Sequence, residues 1–269
     1  AVVVAVAGGG LGAGGAKGAH GLAVLRVQAL APGPVPVVVT AGGATTINGT
    51  VFAFCEELYI NGTVNGDVFG ATVQTEINGT VHGSVYAVGG KLDIHGTVVQ
   101  DIHFAGASLN FNLPEEITNI SETNSIISSV PAINPLTLQT SSIKSLTLNT
   151  RVYPNSLIEN GIIGVGYQLI IDGDVNNEVN FWGSTLMIGG KVDGNVYAIV
   201  GDPESDSSQI ETLLLPLPFD VELINPGLTI HESAQITGLL NYQGPVTGII
   251  EGQLTLEPEY IVPEVTVPD

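Results

Sequence analysis

The chain has 269 residues, 44% of them hydrophobic and 6% aromatic, with 26 acidic against 6 basic residues and a net charge of −20. That balance excludes a nucleic-acid partner, which needs a basic face, and disfavours docking on anionic lipid. A single cysteine rules out an intrachain disulfide framework, and 35 glycines without a G-X-Y pattern rule out collagen.

Residues 1–45 stand apart. They contain no acidic residue, while Lys17 and Arg26 are a third of all the basic ones. The apolar run Val2 to Ala7 is too short to span a membrane, and its order relative to the charges is wrong for an intact signal peptide. His20 to Leu30 reads as a short helix and Val35 to Thr40 as a strand. The expected role is a cap on whatever follows, or a strand donated to a neighbouring subunit.

From Thr46 to Phe111 the chain repeats every 17 residues. Ile60, Ile77, Ile94 and Phe111 form one column; Ile47, Val64, Val81 and Val98 a second; Val51, Val68, Val85 and Ile102 a third. Thr46, Thr63, Thr80 and Thr97 make a polar column, and Gly62, Gly79 and Gly96 a turn column. Such a unit is too small to bury a face alone and must stack on its neighbours. Its apolar residues alternate, which means strand: Ile60, Val64 and Val68 share one parity, while Val73, Thr75 and Ile77 are assigned to the other. Because 17 is odd, the inward parity must switch an odd number of times per unit, and glycine corners are where a chain does that. The reading is an all-β parallel β-helix solenoid, one unit per coil, with coils about 4.8 Å apart. Right-handed crossovers are the rule for parallel strands.

Residues 112–151 lose the period and read as an insertion or irregular connection, although short strands such as Leu136 to Leu138 and Ser145 to Leu148 are candidates to continue the stack. The spacing returns in a second block, 152–256, through Ile171 and Ile188, Val175 and Val192, and Val179 and Val196. An acidic, Pro-flanked loop at 201–226 interrupts it. Leu228 to Tyr242 repeats the pattern with two residues inserted, and 257–269 reads as a proline-rich tail.

The motifs INGTVNGDVFG, INGTVHGSVYAVGG and MIGGKVDGNVYAIVG resemble those of the bactofilin-type polymer-forming family, over a little more than half the chain. The resemblance implies a triangular β-helix and subunits that assemble end to end into filaments without nucleotide. The alanine- and glycine-rich N-terminus and the long insertions depart from that family, so a cytoplasmic scaffold role is not carried over.

No chemical motif rises to a site. His82, His95 and His103 invite comparison with β-helical zinc enzymes but fall in three different columns. Asp172-Gly-Asp174 opens like a calcium loop, then lacks the glycine and the terminal acid such loops need. The threonine column is single, which argues for a hydrogen-bond ladder between coils instead of ice binding. Glu56 with Glu57, or Asp172 with Asp174, would be the carboxylates of a polysaccharide-cleaving solenoid, but basic partners are scarce and no nucleophile elbow or phosphate loop is present. Cys55, in a column with Thr72 and Gly89, reads as a small structural residue. The expectation is therefore no enzyme, no catalytic or metal residue and no cofactor. The sequons at Asn48, Asn61, Asn78 and Asn119 are candidate glycosylation acceptors. The leading function is a structural protein pairing head to tail with itself, at the cell surface or outside the cell. Its candidate contacts are Val35, Val37 and Val39 at one end and Leu228, Ile230, Ile236 and Leu240 at the other. The alternative is a monomeric surface module binding glycan or cell wall.

Overall fold

The computed structural model describes residues 3–7, 46–112, 138–205 and 218–263. They form an all-β solenoid of about 10 turns with coils about 17 residues apart. The first four coils each combine a two-residue strand with a long one: β2 (Thr46–Ile47) and β3 (Thr50–Ile60), β4 (Thr63–Val64) and β5 (Val68–Ile77), β6 (Thr80–Val81) and β7 (Val85–Ile94), β8 (Thr97–Val98) and β9 (Ile102–Phe111). All pair parallel and in register, so Ile60 meets Ile77, Ile77 meets Ile94 and Ile94 meets Phe111. The columns of Ile47 and of Val51 stack in the same way. Every member of the three apolar columns is buried.

The parity argument resolves at one place. Each long strand bends near its middle, at Glu56, Val73, Gly90 and Ala107, where its ladder to the next coil skips a residue. Before the bend Val68 and Gly70 point inward; after it Thr75 and Ile77 do. The inward direction thus switches once per coil, and Val73 lies on the outside of the bend, 41% exposed. Its assignment to the inward set with Thr75 is corrected accordingly. The other corners keep their glycines for a reason of space: a Cβ on Gly79 would collide with the carbonyl oxygen of Gly62 one coil below.

The segment 112–151 is only partly a connection. β10 (Leu138–Val152) is a full coil, parallel to β9 on one side and to β11 (Ser156–Ile171) on the other. Its register against β11 slips between Thr140 and Ser142, so the 17-residue spacing breaks there while the stack does not. Beyond it β12 (Asp174–Val175) and β13 (Val179–Ile188) restore the spacing. β14 (Lys191–Val192) and β15 (Val196–Ile199) begin the eighth coil, and β16 (Gly227–Ile230) completes it, pairing Leu228 with Leu186 across the interruption. β17 (Gln235–Ile236) and β18 (Leu240–Gln243) follow. The last strands are β19 (Ile249–Ile250), β20 (Gln253–Leu254) and β21 (Glu259–Ile261). The start of the expected tail is therefore structured: β21 pairs parallel with β18.

Candidate functional site

Two features of this solenoid are left over once the core is satisfied: its ends and one of its sides.

At the N-terminal pole, β1 (Val3–Ala7) runs antiparallel along Thr50–Phe54 of the first coil. A strand from residues 1–45 thus covers part of the edge, as a cap would. It is the run at Val3–Ala7, while Val35, Val37 and Val39 lie outside the described residues. At the opposite pole β19, β20 and β21 pair only inward, with β16, β17 and β18. Among the described residues no strand covers their outer edges. Ile249, Leu256, Ile261 and Val262 are 49–62% exposed there.

Leu228, Ile230, Ile236 and Leu240 are not contacts at that pole. All four are buried, with a further coil stacked beyond them. The expected block ended at 256, inside the final coil, because Pro258, Pro263 and Pro268 made β21 read as tail; proline is tolerated beside an edge strand.

The side formed by the first half of each long strand carries two outward columns. One contains Phe54, Val88, Leu146, Val165, Trp182 and Ile199, each 41–59% exposed, with Ala71 and Ala105 between them. The other begins with Phe52, Phe69, Tyr86 and His103, stacked ring on ring at centroid distances of 5.0, 4.8 and 4.6 Å. The spacing follows directly from the strand separation. Between the columns runs an open groove of about 590 Å³, lined by Phe54, Phe69, Val88, Phe104 and Leu146 among others. The sequence contained the signal: apolar residues at both parities of a strand mean that both of its faces have apolar neighbours to find.

Polar groups knit coils together instead of converging. Asn65 donates to Asn48 at 2.6 Å, Asn78 to Asn61 at 2.8 Å, and Asn110 to Asp93 at 2.8 Å. Asparagine thus forms an inter-coil ladder of the kind expected from the threonine column. Three sequon asparagines, Asn48, Asn61 and Asn78, sit in these ladders, while Asn119 lies outside the described residues. Asn78 uses Nδ2 twice, toward Asn61 and toward Glu76 at 2.7 Å, so a glycan on that nitrogen would break at least one of these bonds.

The other candidates are dispersed. His82 is exposed, His95 meets the Asn112 carbonyl at 3.0 Å, and His103 stacks on Tyr86. Among the described residues no three His, Cys, Asp or Glu side chains are grouped to hold a metal ion. Asp172 accepts from Arg151 at 3.2 Å, while Asp174 is exposed. Glu57 accepts from the Tyr59 hydroxyl at 3.3 Å. The Cys55 thiol donates to the Glu57 carbonyl at 3.3 Å, and burial, then the Glu57 charge, pushes it up to about 11.

One ionic cluster sits at the edge of the apolar side. Asp101 accepts from Lys144 at 2.8 Å and from Ser142 at 2.7 Å, with His103 at 3.9 Å. Burial would raise the Asp101 carboxyl, but the bonds from Lys144 and Ser142 and the nearby positive charge hold it below its ordinary value. Burial and Lys144 together lower the His103 imidazole against the pull of Asp101. Every member has a partner, so the cluster reads as a clamp between the fourth and fifth coils.

Compared with family models, with curated proteins and with solved structures, the chain matches none.

Proposed function

We propose that this protein is a structural subunit that assembles end to end into a filament, at the cell surface or outside the cell. The observation that supports the reading is the uncovered pole formed by β19–β21. Unpaired N–H and C=O groups on a strand edge are a template for another chain, and here exposed apolar side chains flank them. The first coil presents the unlike edge, covered by β1 along Thr50–Phe54 and, among the described residues, by no strand along Cys55–Ile60. A contact between unlike ends is heterologous and does not close, which is the geometry of an open fibre. The likeness to bactofilin-type coils points the same way. The exposed sequon asparagines Asn48 and Asn78 and the scarcity of lysine favour the extracytoplasmic address.

Negative-stain microscopy and sedimentation of the full chain test this. Filaments are expected from wild type, and short particles from Ile249→Lys with Ile261→Lys, with unchanged β-rich circular dichroism. A chain that stays monomeric at high concentration overturns the proposal in favour of a surface module. Wild-type fibres that the two pole substitutions leave intact would place the contact elsewhere.

A further inference from the structure

The net charge of −20 invites the view that the sides of this solenoid simply repel. One side does not fit it. Over the first eight coils, neither outward column of the apolar side contains a carboxylate, although the chain has 26. Carboxylates such as Asp67 and Asp101 stand at its margin instead, and the one lysine in the columns, Lys144, is paired with Asp101 at 2.8 Å. An apolar centre with a charged rim is the composition of a protein interface.

We propose that this side is an isologous interface through which two copies of the chain pair side by side and antiparallel, with the two-fold axis between the fourth and fifth coils.

Three physical arguments select a second copy. The first is area. Eight coils at about 4.8 Å span about 38 Å, and four residues of strand give about 14 Å of width. That amounts to about 500 Å² per copy and about 1,000 Å² in the pair, the threshold of a specific interface. The second is shape. A two-fold axis at that position sets the fourth coil against the fifth, the third against the sixth, and the second against the seventh. Ala105 then faces Leu146, Val88 faces Val165 and Ala71 faces Trp182, so over the six central coils a small residue meets a large one or two medium residues meet; two large residues, Phe54 and Ile199, face each other only at the outer margins. Two flat sheets packed about 10 Å apart need that complementarity. In an isologous contact each such pair occurs twice.

The third argument concerns the rings. Phe52, Phe69, Tyr86 and His103 lie within 12° of parallel to their neighbours. Their faces are spent on one another and only their edges point outward. A sugar would need the faces, whereas the apolar side of another sheet needs only the edges. The acidic rims of two copies would still repel, so pairing should strengthen as salt screens them.

The test uses the full chain carrying Ile249→Lys and Ile261→Lys, which separates side pairing from end pairing. Analytical ultracentrifugation from 0.05 to 0.5 M salt should show a dimer whose dissociation constant falls as salt rises (about 0.05 to 0.5 M spans a Debye length from about 14 to about 4 Å). Adding Val88→Glu with Leu146→Glu, both at exposed positions, should weaken it by at least about tenfold. A second measurement does not depend on introduced charge. Ala71→Cys with Trp182→Cys, in a Cys55→Ser background, should be joined between two chains by a short bis-maleimide that reaches across the sheet separation of about 10 Å. Within one chain these positions are five coils or about 24 Å apart, beyond the reach of that reagent. A monomer at every salt concentration overturns the proposal. So does a dimer indifferent to the glutamates, or one that forms no cross-link. A monomer whose face binds phosphatidylcholine vesicles, or whose Val88→Cys thiol is shielded from alkylation by another part of the same chain, also overturns it and identifies a different occupant.

Discussion

The hydroxyls of Thr72 and Thr75 lie 2.6 Å apart inside the bend of the second coil, both buried. The pair recurs at Thr147 and Thr150, 2.7 Å apart, in the fifth coil. In the coils between and beyond, the same two positions are Gly89 with Leu92, Gly106 with Leu109, Gly166 with Leu169, and Gly183 with Leu186. In the second to seventh coils the bend is therefore filled in two ways, by two medium polar residues bonded to each other or by nothing and a leucine, while the first coil has Cys55 with Leu58. Replacing Thr72 by Gly alone should strand the Thr75 hydroxyl and cost about 1–3 kcal/mol, and Thr75→Leu alone should overpack by a similar amount. The double substitution should recover much of the loss, giving a coupling of about 1–3 kcal/mol in a denaturant-melt cycle. Additive losses would mean that the two positions do not share one space.

The corner glycine and the core column beneath it make a second prediction. Gly79→Ala pushes a methyl group into the Gly62 carbonyl, and Val81→Asp buries a charge at a position with no exposure. Both should lower the melting temperature, the aspartate by several kcal/mol. A Val81→Asp protein melting like wild type would put that side chain on the surface.

Acid should loosen the clamp between the fourth and fifth coils. The Asp101 carboxyl is lower in the fold than in the open chain, so the unfolded state binds the extra proton and stability falls as pH drops below the ordinary carboxylate value of about 3.9. The His103 imidazole is also lowered, so its share is full above about 6.5 and is lost as pH falls below that. Each contribution is below about 1 kcal/mol, because the groups are partly screened by solvent. His103→Phe would extend the ring ladder and remove the higher-pH step. Denaturation midpoints from pH 4.5 to 7.5, compared between wild type and variant, check it; parallel curves would mean that His103 is not the titrating group.

The Cys55 thiol, pushed up to about 11, should be almost wholly protonated at neutral pH. Its alkylation by iodoacetamide at pH 8 should be much slower in the folded protein than in urea. Equal rates would show that Cys55 is neither shielded nor near the Glu57 charge.

Residues 1–7 should act as a brake on growth. β1 lies antiparallel on Thr50–Phe54, where a neighbour's β21 would otherwise add in parallel. Deleting residues 1–7 should free that edge and give faster or longer fibres in light scattering. Slower assembly would make β1 the donated strand that joins subunits.

The 17-residue columns were legible because each holds one kind of residue: branched aliphatics inside, asparagine or glycine at the corners. The fifth coil was not legible because its hydropathy is reversed. Ser145 and Thr147 point inward and are buried, while Leu146 points out, so alternation read from the sequence gives the wrong face. Val73 was misplaced for a related reason: its coil has Thr72 where the third and fourth coils have Gly89 and Gly106, so no glycine announces the change of parity there. The apolar side escaped notice because its columns mix phenylalanine, alanine, leucine and tryptophan. They share exposure, not identity, and exposure is set by the bend.

That single change of direction per coil governs how such a chain can vary in length. Seventeen residues duplicated at Gly62 would restore every inward column and lengthen the solenoid by one step of about 4.8 Å, whereas sixteen or eighteen would turn the rest of the molecule inside out unless a corner absorbed the difference. The slip at Thr140 and the two extra residues between Ile230 and Ile236 are such absorptions. The protein is in this sense a ruler graduated in whole coils, one that inheritance can extend by copying but not by stretching.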